Sequence, residues 1–193
     1  MRIGRALVAM CMTVGMLSVA TAAPALADER VCRGSIGARS IDEDIRVPSG
    51  ATCRLTNTRV DGNVKVSGNA RLYVRGAIIE GNIQAERAHT VDVRRSTRRN
   101  ARVEGDIQVE DGRRAIAHRV RVGGNIQVED QRGHIDIRRN DVEGDIQVFG
   151  NDARAYIYSN VIDGNLQCKS NSPRPVGDHN RVEGNKEDQC RGF

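Results

Sequence analysis

The sequence contains no tryptophan, and aromatic residues make up only 3% of its 193 positions. A core filled in the usual globular way by Phe, Tyr and Trp is therefore excluded. Burial has to come from Val, Ile, Leu and Ala, which suffice when thin layers stack and each covers only its neighbour. Lysine is nearly missing as well: Lys65, Lys169 and Lys186 are the only ones, and the other cations are arginines. The sequence has no P-loop, no G-x-S-x-G, no H-E-x-x-H and no C-x-x-C. The corresponding phosphate cradle, nucleophile elbow and zinc chemistry are not supported. The histidines (His89, His118, His134, His179) are scattered.

What is present is one phrase, V-x-G-N/D-I-Q-V, written seven times. Copies begin at Val60, Ile79, Val103, Val122, Val142, Ile162 and, decaying, Val182. The central glycines, Gly62, Gly81, Gly105, Gly124, Gly144, Gly164 and Gly184, are spaced by about 20 residues, with one longer interval between Gly81 and Gly105. A period of this size marks a solenoid. Within the copy at Val142, alternation sends Val142, Ile146 and Val148 inward and Glu143, Asp145 and Gln147 outward. Gly144 falls on the inward parity, at a bend that only a residue without Cβ fits. A second alternating strand precedes each phrase: Leu72/Val74, Val91/Val93, Ile135/Ile137 and Ala155/Ile157. Asn140, Asn160 and Asn180 recur in the turns that follow. Asn tolerates a left-handed turn, and stacked amides bond along a pile. About three short strands per coil predict an all-β parallel β-helix of about seven coils.

The N-terminus reads as an export signal. Arg2 and Arg5 precede an apolar run over 6–20, and Ala25-Leu26-Ala27 is a cleavage site. The run is shorter than the ~20 residues of a membrane span, and no lipobox precedes Cys11. The expected division is a signal peptide over 1–27, an N-terminal cap with a first partial coil over 28–58, and repeats with a C-terminal cap over 59–193. The expected product is secreted, extracellular, monomeric and without a membrane anchor. Loss of Arg2 and Arg5 lowers its formal charge from +5 to +3. Cys32, Cys53, Cys168 and Cys190 remain, and an even count in an exported chain reads as two disulfides. Cys53 and Cys168 lie about five coils apart, roughly 24 Å at the strand spacing, whereas bridged Cα atoms lie within about 7 Å. The expected pairs are Cys32–Cys53 and Cys168–Cys190, one at each end.

These features resemble right-handed parallel β-helix proteins of the pectate-lyase-like architecture. The tail from Gly164-Asn165-Leu166-Gln167-Cys168 to Glu183-Gly184-Asn185 and Cys190 is similar to small secreted β-helix proteins of GC-rich Gram-positive bacteria. The resemblance implies a fold and leaves the activity open.

Three places can carry chemistry. The first is the outer columns of the phrase, with Asn63, Asn82, Asp106, Asn125, Asp145, Asn165 and Asn185 in one and Gln84, Gln108, Gln127, Gln147 and Gln167 in another. These read as a structural amide ladder. Two alternatives stay open. Asp106 and Asp145 stand about two coil steps, ~10 Å, apart, near the ~9.5 Å limit of an inverting glycosidase pair. Clustered carboxylates could also hold Ca²⁺.

The second place is the outer face of the preceding strand: Arg71, Tyr73 and Arg75; Asp92 and Arg94; Arg114 and His118, with their register open; His134, Asp136 and Arg138; Arg154, Tyr156 and Tyr158. A basic strip carrying all three tyrosines suits an anionic polysaccharide or cell-envelope polymer. The leading expectation is a non-enzymatic scaffold or binding protein. The alternative is a small polyuronate lyase or hydrolase, with His134 or Tyr156 as base and Arg138 or Arg154 neutralising the uronate carboxylate. The third place is the surplus of the long coil, Arg94 to Arg102, where Arg98 and Arg99 add to the ligand-binding set. No nucleic-acid motif accompanies these arginines.

Overall fold

A computed structural model describes residues 29–193; the expected signal peptide and Cys11 lie outside the described residues. Among the described residues, three parallel sheets hold nine, eight and eight strands. Sheet 1 runs from Glu29–Val31 to Lys186–Asp188, sheet 2 from Ser35–Ile36 to Val176–Asp178, and sheet 3 from Ser40–Ile41 to Arg181–Val182. The chain visits the sheets in strict rotation, so each strand pairs with its counterpart one coil away. Ile107–Glu110, for example, pairs in parallel with Ile83–Glu86 and with Ile126–Glu129. The molecule is an all-β parallel β-solenoid of about eight turns. The phrases undercount the turns because residues 29–41 already place one strand in each sheet without carrying a glycine phrase.

The interior is aliphatic. Val142, Ile146 and Val148 are fully buried, as are Leu72, Val74, Ala155 and Ile157. No aromatic ring joins this core among the described residues. Phe193 packs on its C-terminal end, against the last coil. Both disulfides have the expected pairing, Cys32–Cys53 and Cys168–Cys190, with Cα atoms 5.5 and 5.3 Å apart.

The three corners are built in two ways. Where sheet 3 passes to sheet 1, the Asn/Asp column of the phrase forms a continuous ladder. Asn63 Oδ1 accepts the backbone N–H of Asn82 at 2.9 Å, Asn82 Oδ1 accepts that of Asp106 at 2.7 Å, and Asp106 Oδ1 accepts that of Asn125 at 2.7 Å. The pattern continues through Asp145 and Asn165 to Asn185. Only an acceptor oxygen is required, which is why Asn and Asp interchange. The phrase glycine sits against the carboxamide or carboxylate of the preceding coil, so its missing Cβ makes room for the ladder.

Where sheet 2 passes to sheet 3, Asn140, Asn160 and Asn180 stack in the interior. Asn160 Oδ1 accepts from the N–H and Nδ2 of Asn140, both at 3.0 Å, and Asn160 Nδ2 donates to the Ile137 carbonyl. The stacking matches expectation; the backbone role does not. The left-handed residues are the preceding ones, Arg139, Ser159 and His179, with φ of 55, 56 and 57°. The asparagines point inward because burial demands a side chain able to satisfy the corner's backbone groups. At the third corner a ladder of Gln131, Asn151, Asn171 and Gln189 does the same work.

Candidate functional site

The strip of arginine and tyrosine forms the outside of sheet 2. Register fixes its columns. Arg54, Tyr73, Asp92, Ile116, Asp136 and Tyr156 lie in one. Arg75, Arg94, His118, Arg138 and Tyr158 lie in the next. Arg114, His134 and Arg154 each stand one residue before their strands, which begin at Ala115, Ile135 and Ala155. The register left open by sequence for Arg114 and His118 is thereby settled, with Ile116 between them.

Two clusters result. In the first, Asp92 has a side chain only 6% exposed and binds Arg75 Nη1 at 3.0 Å and Arg94 Nε at 2.7 Å. Tyr73 lies beneath the guanidiniums of Arg54 and Arg75, 5.2 and 5.8 Å from its ring centroid. In the second, Arg138 Nε contacts Asp136 Oδ1, and His134 Nε2 is 3.9 Å from Asp136 Oδ2. The Arg138 guanidinium stands 5.6 Å from the Tyr156 ring and 5.2 Å from that of Tyr158, and His134 lies 5.7 Å from Tyr156. His134, Asp136, Arg138, Tyr156 and Tyr158 are therefore one contact group.

Sequence parity missed the depth of the carboxylates. Asp92 points outward yet is buried, with Arg75 from the preceding coil and Arg94 from its own strand bound to it. The consequence is a division of the arginines. Arg75, Arg94 and Arg138 are tied to Asp92 or Asp136, whereas Arg54, Arg71, Arg114 and Arg154 reach no carboxylate within 4.0 Å among the described residues. Two of the tied arginines, Arg75 and Arg138, stand over tyrosine rings, as does the untied Arg54, and Arg71, Arg114 and Arg154 carry charge that no carboxylate among the described residues neutralises. His118, between Arg94 and Arg138, has its pKa lowered first by burial and then by Arg119, Arg94 and Arg139, against an opposing pull from Asp136.

Arg98 and Arg99 lie apart from these clusters. Their loop folds over the sheet 2–sheet 3 corner, where Ser96 Oγ bonds Asn57 Oδ1 at 2.9 Å and accepts the N–H groups of Arg98 and Arg99. Arg99 lines a groove on the sheet 3 side.

The two alternatives on the phrase face meet specific obstacles. Asp106 and Asp145 each use Oδ1 to hold the next coil's backbone, so both are built into the ladder. Among the described residues no group of three or more His, Cys, Asp or Glu converges on a metal-sized space. The outer glutamines bond in a row from Gln127 through Gln147 and Gln167 to Glu187, at 3.0 to 3.1 Å. Set against known families, curated proteins and solved structures, the chain matches none.

Proposed function

We infer that the protein is a secreted, non-catalytic β-solenoid that binds an anionic polysaccharide or cell-envelope polymer across sheet 2. The observation that carries this reading is the division of labour on that face. Arg75 and Arg138, each bound to a buried or half-buried aspartate, hold Tyr73, Tyr156 and Tyr158 as stacking surfaces. Arg71, Arg114 and Arg154 remain beside them with unneutralised charge. Sugar rings stack on such tyrosines, and a guanidinium fork matches a carboxylate or sulfate. The export signal read in the sequence and the two disulfides support an oxidising, extracellular setting. They also support the likeness to small secreted β-helix proteins.

The lyase reading is the weaker one. Of its two candidate carboxylate-neutralising residues, Arg138 is already bound to Asp136, which also faces the candidate base His134, and only Arg154 is left without a carboxylate partner among the described residues.

The test is retention of the mature, disulfide-intact protein on immobilised polygalacturonate and dextran sulfate, with ultraviolet absorbance followed for unsaturated uronate. Salt-sensitive retention without product, weakened by Arg114→Ser/Arg154→Ser and by Tyr156→Ser, supports the binder. Unsaturated product that vanishes in His134→Ala would replace it with an enzyme. Absence of both would remove the face from consideration.

A further inference from the structure

A second cationic feature lies off the sheet 2 face. At the corner between sheets 2 and 3, a shallow groove crosses four coils, from Ile78 to Asp141. Five arginines line it: Arg99, Arg102, Arg119, Arg121 and Arg139. Its one acidic residue, Asp141, is already held by Arg121 through Nε at 3.0 Å and Nη2 at 2.8 Å. Arg102 is bound to Glu104. Arg99, Arg119 and Arg139 reach no carboxylate within 4.0 Å among the described residues.

The backbone adds an independent argument. Arg119 and Arg139 have φ of 57 and 55°. The same corner position is Asn57 and Gly76 in earlier coils and Ser159 and His179 in later ones. Left-handed backbone suits Gly and Asn and disfavours a long side chain. Arginine here is placed against local preference, as Arg87 is at another corner (φ 54°), and what distinguishes this corner is that two such arginines stand on successive coils and line one groove. The insertion supplies the third group. Ser96 ties the turn that brings Arg99 to the groove, with Arg99 N–H to Ser96 Oγ at 3.0 Å and Ser96 N–H to the Arg99 carbonyl at 2.8 Å.

Arg119 and Arg139 occupy equivalent positions on consecutive coils, so their backbones step by about 4.8 Å along the axis. That step is close to the advance per sugar of an extended glycan. We propose that this groove binds an extended acidic polysaccharide lying parallel to the solenoid axis, with successive carboxylates or sulfates held by Arg99, Arg119 and Arg139. Each guanidinium offers two parallel N–H donors to one oxyanion. The site is distinct from the sheet 2 face and stands whether or not that face binds a ligand.

The test uses the mature protein and the double variant Arg119→Asn/Arg139→Asn. Asparagine already serves this corner at Asn57, so the variant keeps its fold and its melting temperature does not fall. Binding of polygalacturonate (carboxylate), dextran sulfate (sulfate) and uncharged dextran is titrated at several salt concentrations. The expected result is an affinity for an acidic glycan reduced about tenfold or more, and a log–log salt slope reduced by about two, one for each cation removed. Arg99→Ser, which leaves the corner backbone unchanged, should give a smaller loss of the same kind. The two acidic probes separate carboxylate from sulfate recognition, and uncharged dextran should not bind. The face variant Arg114→Ser/Arg154→Ser is measured alongside. Loss only in the face variant overturns the groove and leaves the face standing; loss only in the corner variant does the reverse. Wild-type binding of neither acidic probe overturns the groove proposal.

Discussion

Gly81 and Asn63 compete for one space: a Cβ on Gly81 would lie 2.6 Å from Asn63 Oδ1 and 2.8 Å from the Gly62 carbonyl oxygen. The backbone at Gly81 is not left-handed, so its requirement for glycine is steric, set by the coil before it. Gly81→Ala should therefore open the ladder, break the bond from Asn82 N–H to Asn63 Oδ1, and destabilise the chain by about 3 kcal/mol. Gly34→Ala, where a Cβ meets nothing within 4 Å, should be nearly neutral. Thermal unfolding of the two variants checks the contrast; equal losses would refute the steric account.

Asn160 satisfies the backbone N–H of Asn140 and the carbonyl of Ile137 and also bonds Asn180, all in the interior. Asn160→Ala strands an N–H and a carbonyl away from water, each costing about 1–3 kcal/mol. Asn160→Leu should be no better, since its added apolar area cannot serve those groups. Hydrogen exchange should show the Asn140 amide losing protection more than amides several coils away.

Asp44 heads the sheet 3–sheet 1 ladder and accepts from both Asn63 N–H and Lys65 Nζ, the latter at 2.8 Å. The Lys65 hydrogen bond, then the Asn63 backbone bond, lowers its pKa below the ordinary carboxylate value. The folded pKa lies below the unfolded one. Its stabilisation is thus fully present above the unfolded value of about 3.9 and is lost as pH falls through the folded value. Asp44→Asn keeps the acceptor for Asn63 and removes the charge. It should flatten the acid limb of the stability–pH curve below about pH 4 while leaving the curve's shape near neutrality unchanged.

Asp92 neutralises Arg75 and Arg94 from a buried position. Asp92→Asn keeps the shape and frees both guanidiniums. Because the arginines are about a third exposed, solvent screens part of the loss, and destabilisation should be about 2 kcal/mol. Retention on dextran sulfate should rise, because the face gains net positive charge. Weaker retention with stability unchanged would contradict the assigned role.

Much of this fold was legible because its grammar is periodic. The phrase glycines gave the pitch, alternation gave the buried side, and pitch plus the reach of a disulfide gave the pairing of Cys32 with Cys53 and Cys168 with Cys190. The ladder of Gln131, Asn151, Asn171 and Gln189 escaped notice although its first three members are 20 residues apart. Its function is conserved along the stack while its letter changes from Gln to Asn and back. Asp92 escaped for another reason. Parity says which way a side chain points but not what lies over it, and Arg75 and Arg94 come from the same outward side. The placement of Arg99 depended on Ser96 reaching back to Asn57, a contact 39 residues long that no local pattern announces.

The ladders have directions: at the sheet 3–sheet 1 corner each Asn or Asp oxygen takes the N–H of the coil that follows it, whereas at the other two corners each oxygen takes the N–H of the coil before it. Each of the coils from Gln131 onward therefore presents one kind of surface to its predecessor and another to its successor, and these recur from coil to coil along that part of the stack. A segment of 20 residues, such as 125–144, can be duplicated or deleted in frame and still find both complementary neighbours. The heritable unit of this molecule is the whole coil, so its length, and with it the number of cations along each edge, can change by recombination without re-solving the fold.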